Sequence, residues 1–253
     1  MEQYTSDESD ESDGEPYTSY NIHDAARCAD VPALQIFLAE GDSPDVLSDN
    51  PDWRNQRTPL HELFMHNGND ESDRMACFEL LREAGANLEA RVGRHPQGST
   101  VVHYAIRNPK ILSLLIEAGV NVNVANSGGY TPLHWAARGD FRTDTESVEL
   151  LLRAGAAVNA RITSGTPGLD GYTPFDVALL NGHRRAYPLF LRAGAEFRNA
   201  HHNPYTLRVQ RAGGFKRYEQ AHLARITAIL ETPLLPPELV RKILEFWLHA
   251  GYY

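Results

Sequence analysis

Apolar residues recur along this chain in short helical patterns that come in pairs. From residue 126 to 161 the sequence reads NSGGYTPLHWAARGDFRTDTESVELLLRAGAAVNAR. Its first part predicts a helix that opens at Thr131 and Pro132, because Thr can cap the first turn and Pro gives up only an unpaired N–H. A second helix, over about Thr145 to Arg153, has one apolar face and stops at Gly155, since glycine suits the left-handed position past a helix end. A unit this small cannot bury its apolar faces alone, so the pattern requires neighbours of its own kind.

Such neighbours are present on both sides of this unit. The motif TPLH has counterparts at residues 58–61, 100–103 and 173–176. The segment LLRAGAAVNAR has counterparts that begin at Leu80, Leu114 and Leu189. An opening unit over residues 20–46 lacks the motif, and a degenerate unit follows Gly194 and ends in a helix over about residues 218–230.

These motifs resemble the ankyrin repeat over roughly residues 20 to 230. The resemblance implies an all-α fold, an ankyrin-repeat solenoid of five to six repeats in which paired antiparallel helices are joined by hairpin loops. Uneven spacing between the motif Thr and the turn Gly predicts insertions at residues 66–74 and 140–145. It also predicts long hairpin loops at residues 49–57, 92–98 and 162–171. Loops of this kind often carry recognition, and passive elongation is the alternative.

The two ends of the chain differ from the repeats. Residues 1–19 are acidic and poor in aliphatic side chains, so we expect a disordered tail. Ser6, Ser9 and Ser12 lie among its acidic residues and resemble sites for acidophilic kinases. The tail is a solubilising segment or, as a hypothesis, a competitor for the protein's own binding groove.

Residues 231–253 contain a separate amphipathic helix, predicted over residues 238–249, after a Pro-rich break. The sequence LLPPELVRKILEFW resembles the opening of the F-box, but fewer residues remain than a full F-box needs. One interpretation is a cap on the exposed end of the solenoid. The other is a docking segment for a cullin-type ubiquitin ligase, which would use Leu239, Ile243, Leu244 and Trp247.

Charge and composition exclude several classes of function. The formal charge is −9, and seven acidic residues without any Lys or Arg lie in residues 1–16. The remainder is close to neutral, which disfavours nucleic acid. No signal peptide and no apolar run near 18 residues are found, so we expect no membrane segment and a cytoplasmic or nuclear monomer. The two cysteines, Cys28 and Cys77, suit buried thiols in a reducing compartment.

No catalytic motif survives inspection, so the sequence predicts a protein that is not an enzyme and has no cofactor or metal site. His61, His103 and His134 occupy the fourth place of the TPLH motif. In the family that this motif resembles, that side chain bonds neighbouring backbone and holds helix pairs together. Asp176 replaces the histidine in the fifth unit and is expected to accept local N–H groups.

The resemblance also implies a function in protein binding, on a concave face made of hairpin tips and first helices. Counting from each motif Thr places the contact positions of that face along the middle units. The predicted partner-binding residues are Arg54, Arg57, His66, Gln97, Arg107, Tyr130, Trp135, Arg138, Asp170, Tyr172 and Asn181. Arginine, tyrosine and tryptophan are the residues that interface hot spots favour.

Overall fold

The fold is described from a computed structural model of the 253-residue chain. The structure describes residues 20–48, 56–65, 70–91, 98–139, 145–163, 169–196, 203–230 and 236–250, with only the backbone of 245–250. The acidic segment 1–19 and most residues of the predicted insertions and long loops lie outside these ranges.

Thirteen α-helices lie in the described residues. They are α1 (Ile22–Cys28), α2 (Val31–Glu40), α3 (Pro59–Met65), α4 (Glu71–Glu83), α5 (Val101–Ala105), α6 (Pro109–Glu117), α7 (Pro132–Ala137), α8 (Glu146–Arg153), α9 (Pro174–Asn181), α10 (Tyr187–Arg192), α11 (Pro204–Arg211), α12 (Phe215–Leu230) and α13 (Pro237–Ala250). A short 3-10 turn, Arg184–Ala186, precedes α10. The first twelve helices form six consecutive pairs, and α13 follows the last pair.

The pairs stack side by side. The first helices contact one another in the order α1, α3, α5, α7 and α9, while α2 packs on α4, α6 on α8 and α10 on α12. One hydrophobic core runs through this stack from Ile22 to Val209. The prediction of an all-α repeat solenoid is confirmed.

Local signals set the helix ends as the sequence predicts. Helix α7 has Thr131 at its N-cap and Pro132 in its first turn. Helix α8 begins after Thr145, and Gly155 beyond its end has a φ of +83°. A left-handed residue there lets the N–H of Ala156 reach back to the carbonyl of Leu151 at 2.9 Å.

The loops after the second helices are tied to one another by a repeated side-chain bond. The acceptor is the side chain four residues after the turn glycine of one unit. The donor is the backbone N–H two residues after the turn glycine of the next unit. This bond is present for each of the first four units. The bonds run from Asn87 to Asp45, from Asn121 to Glu89, from Ala157 to Asn123 and from Glu196 to Asn159, at 2.6–2.9 Å for the shortest contact of each. Asn123 and Asn159 also donate to the carbonyls of Gly155 and Gly194. Because each bond joins one unit to the next, these four residues fix the stacking of the loops.

Helix α13 packs against α12. Val240 on α13 and Ile226 on α12 are 6% and 8% exposed, and both are buried outside the main core. On the same two helices Leu239 is 46% exposed and Ile229 is 67% exposed. Among the described side chains of α13, Val240 therefore faces the stack and Leu239 faces water. Within the described part of the chain, no helix has the length and apolarity needed to cross a membrane.

Candidate partner-binding face

The motif histidines connect each unit to the next one. His103 Nδ1 lies 3.2 Å from the backbone N of Thr100, which can only donate, so Nδ1 is the acceptor and Nε2 carries the proton. Nε2 then donates to the carbonyl of Tyr130 at 3.0 Å, in the hairpin of the following unit. His134 repeats the arrangement with Thr131 and with the carbonyl of Tyr172, at 3.1 and 3.2 Å. Both ring nitrogens of His103 and of His134 therefore form hydrogen bonds within the stack, as the sequence predicts.

Burial of the motif histidines sets the charge of their imidazole rings. Loss of water lowers the pKa of His61, His103 and His134 to about 4, against the smaller raising effect of nearby backbone carbonyls. His61 bonds Thr58 Oγ1 at 2.8 Å, and its Nε2 lies near the backbone of Ser99 without reaching hydrogen-bond geometry. All three imidazoles are neutral at pH 7.

Asp176 closes its helix cap but forms no hydrogen bond with the described residues of the sixth unit. Its Oδ2 accepts the N–H and the hydroxyl of Thr173, both at 3.0 Å, as predicted for a local acceptor. Its Oδ1 is buried without a hydrogen bond. A carboxylate has no N–H to donate to a hairpin carbonyl, so Asp176 cannot form the hydrogen bond by which the histidines join one unit to the next.

The fifth place of the motif forms a row along the first helices, which we term the first-helix face: Glu62, Tyr104, Trp135 and Val177. Glu62 and Val177 are buried, while the two aromatic residues in the middle are only half-buried. The Tyr104 and Trp135 rings meet edge to face with centroids 5.5 Å apart, and His103 lies 5.4 Å from the indole. Such an aromatic pair contributes about 1 kcal/mol of stabilisation beyond that from burying its surface area, and the contact holds both rings in place.

Two of the predicted arginines lie near this aromatic pair. Burial raises the pKa of Tyr104, and the guanidinium groups of Arg57 and Arg107 oppose that rise through their positive charge. Arg57 also pairs with Glu62 at 3.3 Å, which orients it beside the first-helix face. Tyr104 thus contacts the Trp135 ring and lies close enough to Arg57 and Arg107 for their charges to act on its pKa. Sequence reasoning did not select Tyr104. Tyr104 follows the motif histidine as Trp135 does, and that shared place was the signal for it.

The other predicted contact residues fall into three groups. Tyr130 and Tyr172 are half-buried in hairpins, where their carbonyls accept from the motif histidines; the Tyr130 ring lies 6.1 Å from that of His134. Exposed positions at the ends of first helices or in a hairpin are taken by Arg138, Asp170 and Asn181. Residues outside the described ranges are Arg54, His66 and Gln97.

The cysteines and the C-terminal helix give mixed outcomes. Burial raises the pKa of the Cys77 thiol to about 11, which fits an inert core thiol. Cys28 is exposed at the end of α1, so the expectation of two buried thiols was wrong for it. On α13, Leu239 is exposed and Ile243 and Leu244 are half-buried, while the side chain of Trp247 lies outside the described residues.

A family model described as ankyrin repeats in three copies matches residues 22–126, 72–162 and 110–201. Together these stretches span well over half of the 253 residues. The chain belongs to the ankyrin-repeat family. The ankyrin matches end before α11, so the sixth helix pair and α13 lie beyond them.

Individual relatives agree with this assignment. A protein of fowlpox virus (strain NVSL) named as an ankyrin repeat protein is 33% identical over 103 residues, 40% of this chain and 28% of that protein. Neurogenic locus notch homolog protein 4 of Homo sapiens is 32% identical over 174 residues, 63% of this chain and 8% of that protein. A protein of Arabidopsis thaliana named as an E3 ubiquitin-protein ligase is 28% identical over 162 residues, 57% of this chain and 32% of that protein. The ankyrin chain thus spans a third or less of the length of these relatives.

Proposed function

We propose that this chain is a non-catalytic scaffold that binds a protein partner on the first-helix face and the hairpins beside it. Ankyrin repeats imply a role in protein–protein interaction, and the family is generally non-catalytic. The proposal depends on one observation, the half-buried pair of Tyr104 and Trp135 with Arg57 and Arg107 around it. Aromatic residues and arginines dominate interface hot spots because they bury a large area and retain a polar group for the rim.

The arrangement is suited to binding because it is already ordered in the free protein. The first helices are short, capped and buried against their neighbours, and the edge-to-face contact fixes both rings. A partner would therefore lose little affinity to ordering of this face. The motif histidines support the same role, since the ring nitrogens of His103 and His134 are occupied by contacts within the stack.

The test is binding by the full chain with Trp135→Ala, compared with the wild type. Partners captured from cell extract are identified, and the affinity of a purified partner is then measured by titration calorimetry. Truncating a central aromatic anchor is expected to weaken binding about thirtyfold, or about 2 kcal/mol. Ile36→Ala is the matched control, because it removes an apolar side chain that is 56% exposed on the second helix α2. Equal affinity for the wild type and Trp135→Ala would place the interface elsewhere.

We propose a cap on the last repeat as the function of α13, with docking of a cullin-type ubiquitin-ligase scaffold as the alternative. The burial of Val240 with Ile226 supports the cap. The exposure of Leu239 favours the alternative, because an apolar side chain in water is available to a partner. One similar protein is named as an E3 ubiquitin-protein ligase.

The two functions of α13 are separated by the double variant Leu239→Asp/Trp247→Ala. If α13 docks a ligase scaffold, pull-downs with this variant lose that scaffold and keep the partners of the first-helix face. If the recovered proteins are the same as with the wild type, α13 is a cap only.

A further inference from the structure

A cleft of about 240 Å³ opens between the fifth and sixth helix pairs. It lies where the 3-10 turn before α10 meets the start of α11, and it is lined by Arg184, Tyr187, Asn203, Pro204, Tyr205 and Arg208. Two guanidinium groups face this cleft, and no carboxylate is among its lining residues in the described part of the chain. The positive end of the α11 dipole points to the same place and favours an anion there.

The walls of the cleft are held in place by buried contacts. Tyr187 is 2% exposed, and its hydroxyl hydrogen-bonds the side chain of Asn203. Asn203 in turn accepts the N–H of Tyr205 at 2.9 Å as the cap of α11. The rings of Tyr187 and Tyr205 lie 5.3 Å apart, so the cleft exists before any ligand arrives.

The two arginines of the cleft differ from Arg82 and Arg153, which are exposed on other helices. Arg82 pairs with Glu79, and Arg153 pairs with Glu149 at 2.6 Å. Within the described ranges, neither Arg184 nor Arg208 forms an ion pair with a carboxylate. Two like charges that converge on one cleft repel each other unless an anion lies between them.

A second cleft of about 350 Å³ adjoins the first, since Arg208 lines both. Its other lining residues are Tyr218, Ala221, His222 and Arg225. Arg225 lies 2.9 Å from His222, whose ring stacks on that of Tyr218. The two clefts together place three guanidinium groups in two adjoining cavities that share Arg208.

The sequence around the clefts is strongly basic although the chain is acidic. Residues 184–230 contain nine Arg or Lys and two Glu, a net charge of +7, whereas the whole chain has −9. This charge attracts anionic segments over a distance of about 8 Å at physiological salt.

We propose that the two clefts bind a peptide segment rich in oxyanions, with one phosphate or carboxylate group held between Arg184 and Arg208 and another beside Arg225. The planar guanidinium group matches both of these anions with paired hydrogen bonds. The chain has such a segment itself, because residues 3–16 combine six acidic residues with Ser6, Ser9 and Ser12. The site extends the proposed scaffold function but is independent of the first-helix face.

A peptide fits these clefts better than a nucleic acid. Single-stranded nucleic acids bind through bases stacked on exposed aromatic faces. Here Tyr187 is buried, and the rings of Tyr205 and Tyr218 pack against each other with centroids 5.6 Å apart.

The test measures fluorescence anisotropy of a labelled peptide with the sequence of residues 3–16 and phosphoserine at the three serine positions. It uses the full chain as wild type, as Arg184→Gln/Arg208→Gln and as Arg82→Gln/Arg153→Gln. The last variant removes the same charge from exposed helical sites outside the clefts. We expect saturable binding that inorganic phosphate displaces, an affinity at least about tenfold lower in the cleft variant, and less than about a twofold change in the control.

Further arms of the experiment identify the anion and can overturn the proposal. The same peptide with unmodified serine binds equally well if carboxylates are the ligand, and about tenfold more weakly if phosphate is. The site is wrong if no saturable binding is seen, or if the control variant loses as much affinity as the cleft variant. Equal dependence of an oligo(dT) probe on Arg184 and Arg208 would assign the clefts to nucleic acid instead. Trp135→Ala should leave peptide binding unchanged. A failure of the peptide proposal can therefore be told apart from a failure of the scaffold proposal.

Discussion

At the scale of single residues, the motif histidine is a connector whose two nitrogens serve different units. Nδ1 accepts within its own helix cap, and Nε2 donates to the next hairpin, so the two bonds exist together only in the neutral ring. A protonated ring would carry a hydrogen on Nδ1 and would face the N–H of Thr100 with it. Acid therefore acts first on the helix cap of the histidine's own unit, because a protonated ring keeps the N–H at Nε2.

The pH dependence of stability follows from the lowered pKa of these rings. The pKa of His103 is about 4 in the folded chain and 6.5 in its ordinary state, so the unfolded chain takes up the proton first. Stability is fully present above pH 6.5, falls as the pH drops from 6.5 to 4 and levels below that, by on the order of 3 kcal/mol per histidine. His103→Gln should lower the free energy of unfolding at pH 7.5 by about 2 kcal/mol, since it breaks two buried hydrogen bonds.

The same variant should also have a shallower pH profile than the wild type. Urea unfolding followed by circular dichroism at pH 7.5, 6.5, 5.5 and 4.5 measures both quantities. Parallel profiles for the wild type and His103→Gln would show that this ring is not the acid-sensitive group.

Gly129 is a residue at which no side chain fits. Its φ is +73°, and a Cβ there would lie 2.3 Å from the backbone N of Thr163 in the next hairpin. Gly129→Ala should cost about 3 to 5 kcal/mol from backbone strain and the clash together. Gly155→Ala is the matched control, because Gly155 has a φ of +83° but no atom within 4 Å of such a Cβ. It should cost about 1 to 2 kcal/mol from strain alone. If urea unfolding shows the same loss of unfolding free energy for both variants, the two hairpins move apart to accommodate the new side chain at residue 129.

Sequence reasoning was successful for residues whose role is local and failed for those whose role is set by a neighbour. The cap at Thr131 and the turn at Gly155 follow from backbone chemistry within a few residues. Tyr104 was missed because its importance depends on Trp135 in the next unit, at a distance that no single repeat reveals. Asp45 and Glu89 were missed for the same reason, since their partners lie 42 and 32 residues away.

At the scale of helices, α13 shows how far amphipathic pattern predicts packing. Its bounds, Pro237–Ala250, agree closely with the predicted helix over residues 238–249. The pattern does not show which apolar residues the neighbour covers. Val240 is buried while the adjacent Leu239 is exposed, and Ile229 on α12 stays in water although it belongs to the same apolar series as Ile226.

This difference gives a matched pair of substitutions on adjacent residues. Val240→Asp places a charge in the contact between α12 and α13 and should cost about 2 to 4 kcal/mol. Leu239→Asp places the same charge in water and should change stability by less than about 0.5 kcal/mol. Thermal unfolding of both variants measures the contrast. Equal melting temperatures for the two would show that α13 contributes nothing as a cap.

At the scale of the whole molecule, the stack is held by two series of bonds that cross from unit to unit. One is made by the motif histidines, and the other by the residues four places after the turn glycines. Both run through the middle of the chain, and within the described residues neither has a counterpart between the fifth and sixth units. Asp176 has no N–H to donate, and the sixth unit is joined instead by ring contacts and by Arg192, which meets Glu219 at 2.7 and 3.0 Å.

Because each unit of a repeat stack contacts only its neighbours, a weak joint separates regions that unfold at different free energies. We therefore expect the sixth helix pair and α13 to open before the units that contain α5 to α8. Native-state hydrogen exchange followed by mass spectrometry should show faster exchange in α11 and α12 than in α6 and α8 at pH 7. Val240→Asp should accelerate exchange in α12 and leave α6 unchanged. Uniform protection along the stack would mean that the ring contacts between Tyr187 and Tyr205 couple the last unit as strongly as the histidine bonds couple the others.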